Sequence, residues 1–118
     1  MPRTTRKERL MSYKKLVRDR IPEIIAAHGD RPVTRVLDDA EYKHELRYKL
    51  LEEVREVMVA PDAATVLAEI ADLIEVAEAA AKAYGYSSED LRRVQAEKRA
   101  QRGGFDQRIF LIGVEARP

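Results

Sequence analysis

The chain has 118 residues, of which 45% are hydrophobic and 36% are charged, and its net charge is +1. This length predicts one domain with a modest core. The absence of cysteine excludes disulfides, zinc–thiolate sites and cysteine nucleophiles. No apolar run approaches the roughly 18 residues of a membrane-spanning helix, and the N-terminus lacks the apolar segment of a secretory signal. We therefore expect a cytoplasmic protein with no membrane partner.

Residues 1–12 carry four basic side chains and one acidic side chain. We expect them to form a disordered basic tail, followed by a single helical domain over residues 13–115. The structured pattern begins at Tyr13, which leaves open whether Met11 is the true start. The body of the chain is close to neutral, so we do not expect nucleic acid as a partner.

The first predicted helix covers residues 16–27. Proline disfavours a helical residue before it, so this helix begins either at residue 16 or only near Pro22. Gly29 is a suitable C-terminal stop. Residues 32–37 are β-branched and bounded by a proline, which predicts a short strand or extended segment.

Two long helices follow, with almost no loop between them. The second helix is capped by Asp38 or Asp39 and runs to about residue 60, and the third covers about 61–84. Apolar residues recur along both at steps of three and four, as expected of amphipathic helices. A connection this short makes antiparallel neighbours.

The fourth predicted helix is capped by Ser87 or Ser88 and continues to about Gln101. The glycine pair at 103–104 predicts a turn. Residues 108–114 are apolar and β-branched, and they predict a short strand or an extended segment packed on the bundle. The predicted fold class is an all-α bundle of about four helices with two short extended or β segments.

Acidic residues lie at helical spacing on the second and third helices. Glu52, Glu53 and Glu56 form the pattern EExxE, and Glu69 and Asp72 form the pattern ExxD. Residues three apart share one face of a helix, so these carboxylates can converge if the helices are antiparallel. Clustered carboxylate oxygens suit Mg²⁺, with Mn²⁺ as a substitute, and Mg²⁺ in such a site usually also binds a phosphate-bearing substrate.

The position of Glu53 on the helix is the most specific part of this pattern. At about 100° per residue, Glu53 falls beside the apolar arc of the second helix, about 20° from Leu46. We therefore predict that Glu53 is at least partly buried, where a carboxylate needs a partner or a metal. Spacing alone nevertheless favours a solvated face, because a chain so rich in charge often places glutamate at this spacing.

The two acidic patterns in this order resemble the EExxE…ExxD motif of the MazG-like all-α nucleoside triphosphate pyrophosphohydrolases. Residues 13–23, YKKLVRDRIPE, look like the N-terminus of the phosphoribosyl-ATP pyrophosphohydrolase-like subgroup. Residues 98–105, KRAQRGGF, look like its C-terminal block. The resemblance covers about residues 13–115 and implies a MazG-like helical bundle.

The resemblance implies cleavage between the α- and β-phosphates of a nucleoside triphosphate or related nucleotide, with release of pyrophosphate, in a house-cleaning role. It implies that Mg²⁺ is bound by Glu53, Glu56, Glu69 and Asp72. Glu53 and Glu52 are then the candidate catalytic residues, with Glu52 either supporting the metal ligands from outside or activating water. A homodimer or homotetramer is also implied.

The substrate phosphates also need cations from the protein. The candidates are Lys98, Arg99 and Arg102 beside the glycine turn, together with Lys15 and Arg18. Two alternatives remain open at this point. One is the phosphoribosyl-ATP pyrophosphohydrolase of histidine synthesis. The other is a helical binding or regulatory module without catalytic activity.

Overall fold

The structure, a computed structural model, describes residues 14–117 and confirms the all-α prediction. Its four helices are α1 (Ile21–Ala27), α2 (Asp39–Val59), α3 (Ala63–Ala83) and α4 (Ser88–Arg102). No helix of this part of the chain is long and apolar enough to cross a membrane. The predictions of a basic tail at 1–12 and of a start at Met11 lie outside the described residues.

Local capping interactions set the ends of the long helices. Asp38 accepts a 2.9 Å hydrogen bond from the backbone N–H of Glu41 at the start of α2. Asp62 accepts a 2.8 Å hydrogen bond from the N–H of Thr65 at the start of α3. Each cap satisfies a donor that the helix itself cannot pair. Only residues 60–62 separate the two helices, which forces them into an antiparallel hairpin.

The α2–α3 hairpin is the main packing unit of the fold. Leu46 on α2 and Val76 on α3 are its buried apolar side chains in the described part of the chain. At the open end, Lys43 and Arg47 of α2 lie over the ring of Tyr84, at 5.3 Å and 5.6 Å from its centroid. These contacts join the start of α2 to the end of α3, as an antiparallel pair requires.

A glycine turn connects α3 to α4. Gly85 has a φ of 91°. Its N–H donates to the Lys82 carbonyl at 2.9 Å, and the N–H of Tyr86 donates to the Ala81 carbonyl at 3.0 Å. This pair of bonds is the Schellman arrangement that glycine favours at a helix end. The fourth helix is then joined to α3 by Arg92, whose guanidinium lies 3.1 Å from Glu78.

Helix α4 begins with a capping box. The Ser87 hydroxyl accepts a bond from the Asp90 N–H at 3.0 Å, and the Asp90 carboxylate accepts one from the Ser87 N–H at 2.9 Å. The first of the two predicted caps, Ser87, is therefore the one used. This reciprocal pair fixes the start of a helix that otherwise packs only against α3.

At the two predicted strand or extended segments, the strand alternative is corrected. Residues 14–117 contain no strand, so neither 32–37 nor 108–114 pairs as one, and 108–114 is exposed instead of packed on the bundle. A strand needs a neighbouring strand to satisfy its backbone, and no second strand lies beside either segment. The first helix begins at Ile21, so the later of its two predicted starts is correct and residues 16–20 precede it.

Candidate metal centre

Three of the predicted acidic ligands meet between α2 and α3. One carboxylate oxygen each of Glu53, Glu69 and Asp72 lies within 4.8 Å of the other two. Glu53 is 8% exposed, as the helical-wheel position predicted, and the other two are half-buried. We call these three residues the acidic cluster. The antiparallel hairpin creates it because Glu53 lies two turns before the connection and Glu69 lies two turns after it.

The fourth predicted ligand, Glu56, lies outside the acidic cluster. Its side chain is exposed at the edge of α2, one turn beyond Glu53. It is still close enough for its negative charge to act on Glu69. Glu56 therefore adds charge to the site, while the inward oxygens come from the other three residues.

Mutual repulsion acts on the carboxyl group of Glu69. Burial raises the pKa of Glu69 above the usual range, and the charges of Asp72, Glu56 and Glu53 raise it further. A carboxylate with a raised pKa holds its proton more tightly than an ordinary glutamate. A cation among these oxygens would relieve the repulsion and favour the charged form.

Three cations of the protein neutralise part of this charge. Arg18 lies 2.6 Å from Asp72, and Lys15 lies 3.1 Å from Glu52. Lys49 lies 3.1 Å from Glu52 and 3.7 Å from Glu53. Two of these, Lys15 and Arg18, are predicted phosphate-binding residues, and the structure brings both to the acidic side chains.

Lys49 is a member of the site that was not among the predicted site residues. Its side chain is only 15% exposed, so it packs between the two glutamates instead of extending into solvent. Its spacing of three and four residues from Glu52 and Glu53 was the available signal. A partly buried lysine beside two carboxylates fixes their positions more firmly than a surface pair would.

Glu52 lies beside the acidic cluster and not in it. Burial alone would raise the pKa of Glu52, but hydrogen bonds from Lys49 and Lys15 outweigh it, and the pKa is lowered. A carboxylate with a lowered pKa is a weak base. In this environment Glu52 is better suited to position the two lysines than to accept a proton.

The predicted phosphate-binding residues of α4 lie apart from this site. Lys98, Arg99 and Arg102 are exposed, and no interaction recorded among residues 14–117 joins them to the acidic cluster. The Arg99 guanidinium is 4.0 Å from Asp106. It also rests on Gly104, where an added Cβ would lie 3.3 Å from it. The glycine turn thus makes room for Arg99.

The donor set fits a hard divalent cation. Its ligands are all carboxylate oxygens, which Mg²⁺ and Mn²⁺ prefer over softer donors. The five acidic residues of the two patterns face three protein cations. Among residues 14–117 these ion pairs leave two of the five negative charges over, and one divalent cation would balance them.

Comparisons with known proteins add little to this picture. No family model matches the chain, and no solved structure matches it with significance. A protein of Mycolicibacterium smegmatis, described as uncharacterized, is 58% identical over 45 residues, which are 38% of this chain and 46% of the relative. The chain thus spans less than half the length of this relative. The resemblance to the MazG-like family rests on the residues themselves.

Proposed function

We propose that the chain is a Mg²⁺-dependent pyrophosphohydrolase that cleaves the α–β phosphate bond of a nucleoside triphosphate or a related nucleotide. The supporting observation is the convergence of Glu53, Glu69 and Asp72, with oxygens within 4.8 Å of one another, from the two motifs that carry the family resemblance. Two packed helices hold this cluster, so its geometry does not depend on a loop.

The acidic residues divide the work between binding and proton transfer. Glu53, Glu69 and Asp72 would hold the cation, with Glu56 available at the edge. When bound, Mg²⁺ neutralises phosphate charge and lowers the pKa of a coordinated water. A carboxylate outside these ligands would accept the proton of the attacking water, because a bound cation would favour the charged form of Glu69 and remove the extra basicity that its raised pKa gives in the metal-free site.

The nearby cations supply the phosphate contacts. Arg18 and Lys15 form exposed ion pairs with Asp72 and Glu52, and such pairs are weak enough to exchange partners. Once a metal balances the carboxylates, the Arg18 guanidinium can turn its paired donors to phosphate oxygens. The exposed cations Lys98, Arg99 and Arg102 remain candidates only if α4 moves towards the site or if they come from a second chain.

A helical binding module without catalytic activity is the second candidate. It is favoured by the same ion pairs, because Arg18 and Asp72 at 2.6 Å also satisfy each other with no metal present. In that case the three cations would be permanent structural partners of the acids. Magnesium would then neither bind nor stabilise the protein.

Pyrophosphate release distinguishes the two candidates. The substrates are a panel of canonical and modified nucleoside triphosphates plus phosphoribosyl-ATP, each with Mg²⁺ or EDTA. We expect metal-dependent release that is lost in Glu53→Gln and kept in Glu97→Gln, which removes an equal charge from the exposed face of α4. Release of phosphoribosyl-AMP as the preferred product would assign the histidine-pathway reaction. Folded protein with no release and no Mg²⁺ binding would favour the non-catalytic module.

A further inference from the structure

The α2–α3 hairpin has a second face, which is apolar and exposed. Six of its side chains are between 38% and 78% exposed, and we call them the apolar face: Leu51, Val54, Met58, Leu67, Ile70 and Ile74. On α2 they are spaced by three and four residues, and so are those on α3. Each set therefore forms one stripe along its helix.

The two stripes lie on the same side of the hairpin, opposite the acidic cluster. Val54 follows Glu53, and Ile70 follows Glu69, so each stripe is turned about 100° from an acidic residue. In an antiparallel pair the two helices run in opposite directions. A step of one residue along either helix therefore turns from the face that carries the acids towards the same opposite face of the hairpin. The acids thus occupy one face of the hairpin, and the apolar side chains are contiguous on the other.

The chain carries a second exposed apolar surface after α4. We call residues 105–114 the C-terminal arm. Its apolar side chains are between 74% and 97% exposed, and they are Phe105, Ile109, Phe110, Leu111, Ile112 and Val114. Helix α4 ends at its C-cap, Gly103, whose φ is 81°, and Arg108, with a φ of 57°, closes a turn in which its N–H donates to the Phe105 carbonyl at 3.1 Å.

The C-terminal arm is apolar on both of its sides. Residues 109–112 are four consecutive apolar residues, each at least 74% exposed, so no single side of the arm gathers all of them. A segment lying on the surface of its own chain needs only one apolar side. Apolar side chains on both sides are typical of a segment covered from two directions.

We propose that the C-terminal arm of one chain packs on the apolar face of a second copy, and that the exchange is reciprocal in a two-fold dimer. A single chain carries both surfaces, so a two-fold axis satisfies both at once. Enclosure between two hairpins covers both sides of the arm. The acidic cluster lies on the opposite face of the hairpin, so the dimer leaves it open.

The buried area is sufficient for a stable dimer. Six apolar side chains of this size remove roughly 800 Å² of arm surface from water when they are covered. With two arms and two apolar faces, roughly 3,000 Å² is buried in total, which is within the range of permanent homodimers. Monomeric proteins rarely leave apolar patches of more than a few hundred Å² uncovered.

Light scattering on a size-exclusion column measures the mass of the full-length chain in EDTA, so that the metal centre plays no part. We expect a dimer for the unmodified chain and a monomer for both Ile112→Asp in the arm and Leu67→Asp in the apolar face. Val36→Asp changes a side chain that is 97% exposed and belongs to neither surface, so it should remain dimeric. Circular dichroism checks that each variant keeps its helices.

Mixing the two monomeric variants tests the reciprocal geometry. A mixed dimer has one intact arm on one intact face, so Ile112→Asp and Leu67→Asp should form dimer together although neither does alone. The chain has no cysteine, so Ile112→Cys in one chain and Leu67→Cys in another should give one disulfide-linked pair. A monomeric unmodified chain at 50 μM (about 0.7 mg/ml), a dimer unaffected by either aspartate, or no gain on mixing would each overturn the exchange.

Discussion

Leu46→Ala tests whether the α2–α3 seam stabilises the fold separately from the metal centre. Leu46 is 2% exposed and is the most deeply buried side chain of the described core. The substitution removes three carbon atoms, which costs about 2.4 kcal/mol at about 0.8 kcal/mol per buried group. A residual cavity adds to this, and Leu→Ala changes in cores typically cost about 2–5 kcal/mol.

The thin hairpin places Leu46 towards the lower part of that range. Solvent lies close to both sides of a two-helix layer, so the cavity can collapse or fill, and we expect a loss of about 3 kcal/mol. An unfolding entropy of about 2.1 cal/mol/K per residue gives about 0.25 kcal/mol/K for this chain. The melting temperature should therefore fall by about 12 °C.

Thermal and urea unfolding, followed by circular dichroism at 222 nm, measure this loss. Val36→Ala is the control, because Val36 is 97% exposed and should change stability by less than about 0.5 kcal/mol. Well below its melting temperature, the Leu46→Ala protein should bind Mg²⁺ as the unmodified chain does, since Leu46 lies two turns from Glu53. A loss below 1 kcal/mol would refute the assignment of Leu46 to the core, and weakened Mg²⁺ binding in the folded variant would refute the separation of scaffold from site.

Three further results are expected. Mg²⁺ at about 100 times its dissociation constant should stabilise the folded protein by about 2.7 kcal/mol, and calorimetry should show that Glu53→Gln loses this effect while Glu97→Gln retains it. Because burial and its acidic neighbours raise the pKa of Glu69, Mg²⁺ affinity measured by titration calorimetry should fall as the pH drops through that raised value, above the usual glutamate range. Without metal the sign is opposite, since the folded state holds the proton more tightly than the unfolded state and stability should fall as the pH rises through the raised pKa. An affinity that does not fall on acidification towards the glutamate range would contradict the first result, and a metal-free stability that does not fall as the pH rises would contradict the second. Ser87→Ala removes one half of the capping box, so it should destabilise α4 by about 1 kcal/mol and speed amide exchange in its first turn more than in α2.

Sequence reasoning succeeded where structure is decided locally. The predicted caps Asp38 and Ser87 each accept a hydrogen bond from a backbone N–H only three positions further along the chain. Glu53 was predicted to be buried from the helical period alone. Such local interactions form in any fold that contains the helix. The predicted ends of α2, α3 and α4 therefore lie within a few residues of the observed ends.

The strand predictions failed because strand formation is not local. Residues 32–37 and 108–114 have the β-branched composition of strands, but a strand also needs an edge to pair with. In the first segment, Arg35 instead binds Glu41 through both guanidinium nitrogens, at 2.6 Å and 3.1 Å. That ion pair ties the segment to the start of α2.

The cations of the site show a similar limit. Lys15 and Arg18 were named as phosphate ligands from the resemblance, but their partners Glu52 and Asp72 are 37 and 54 residues away. No periodicity connects residues so far apart. The functional assignment of the acidic cluster likewise remains a prediction, because the resemblance supplied it and only an assay of the protein tests it.

In this hairpin the residues of the acidic cluster and those of the apolar face are offset by one position in sequence. Glu53 and Val54 are neighbours in sequence, as are Glu69 and Ile70, yet each pair is divided by about 100° around its helix. The same two helices can therefore hold carboxylates on one face and bind a second chain on the other. Substitutions on opposite faces share no partners, so their effects should add. Dimerisation would then stabilise the helices that hold the acidic cluster without changing which oxygens meet there.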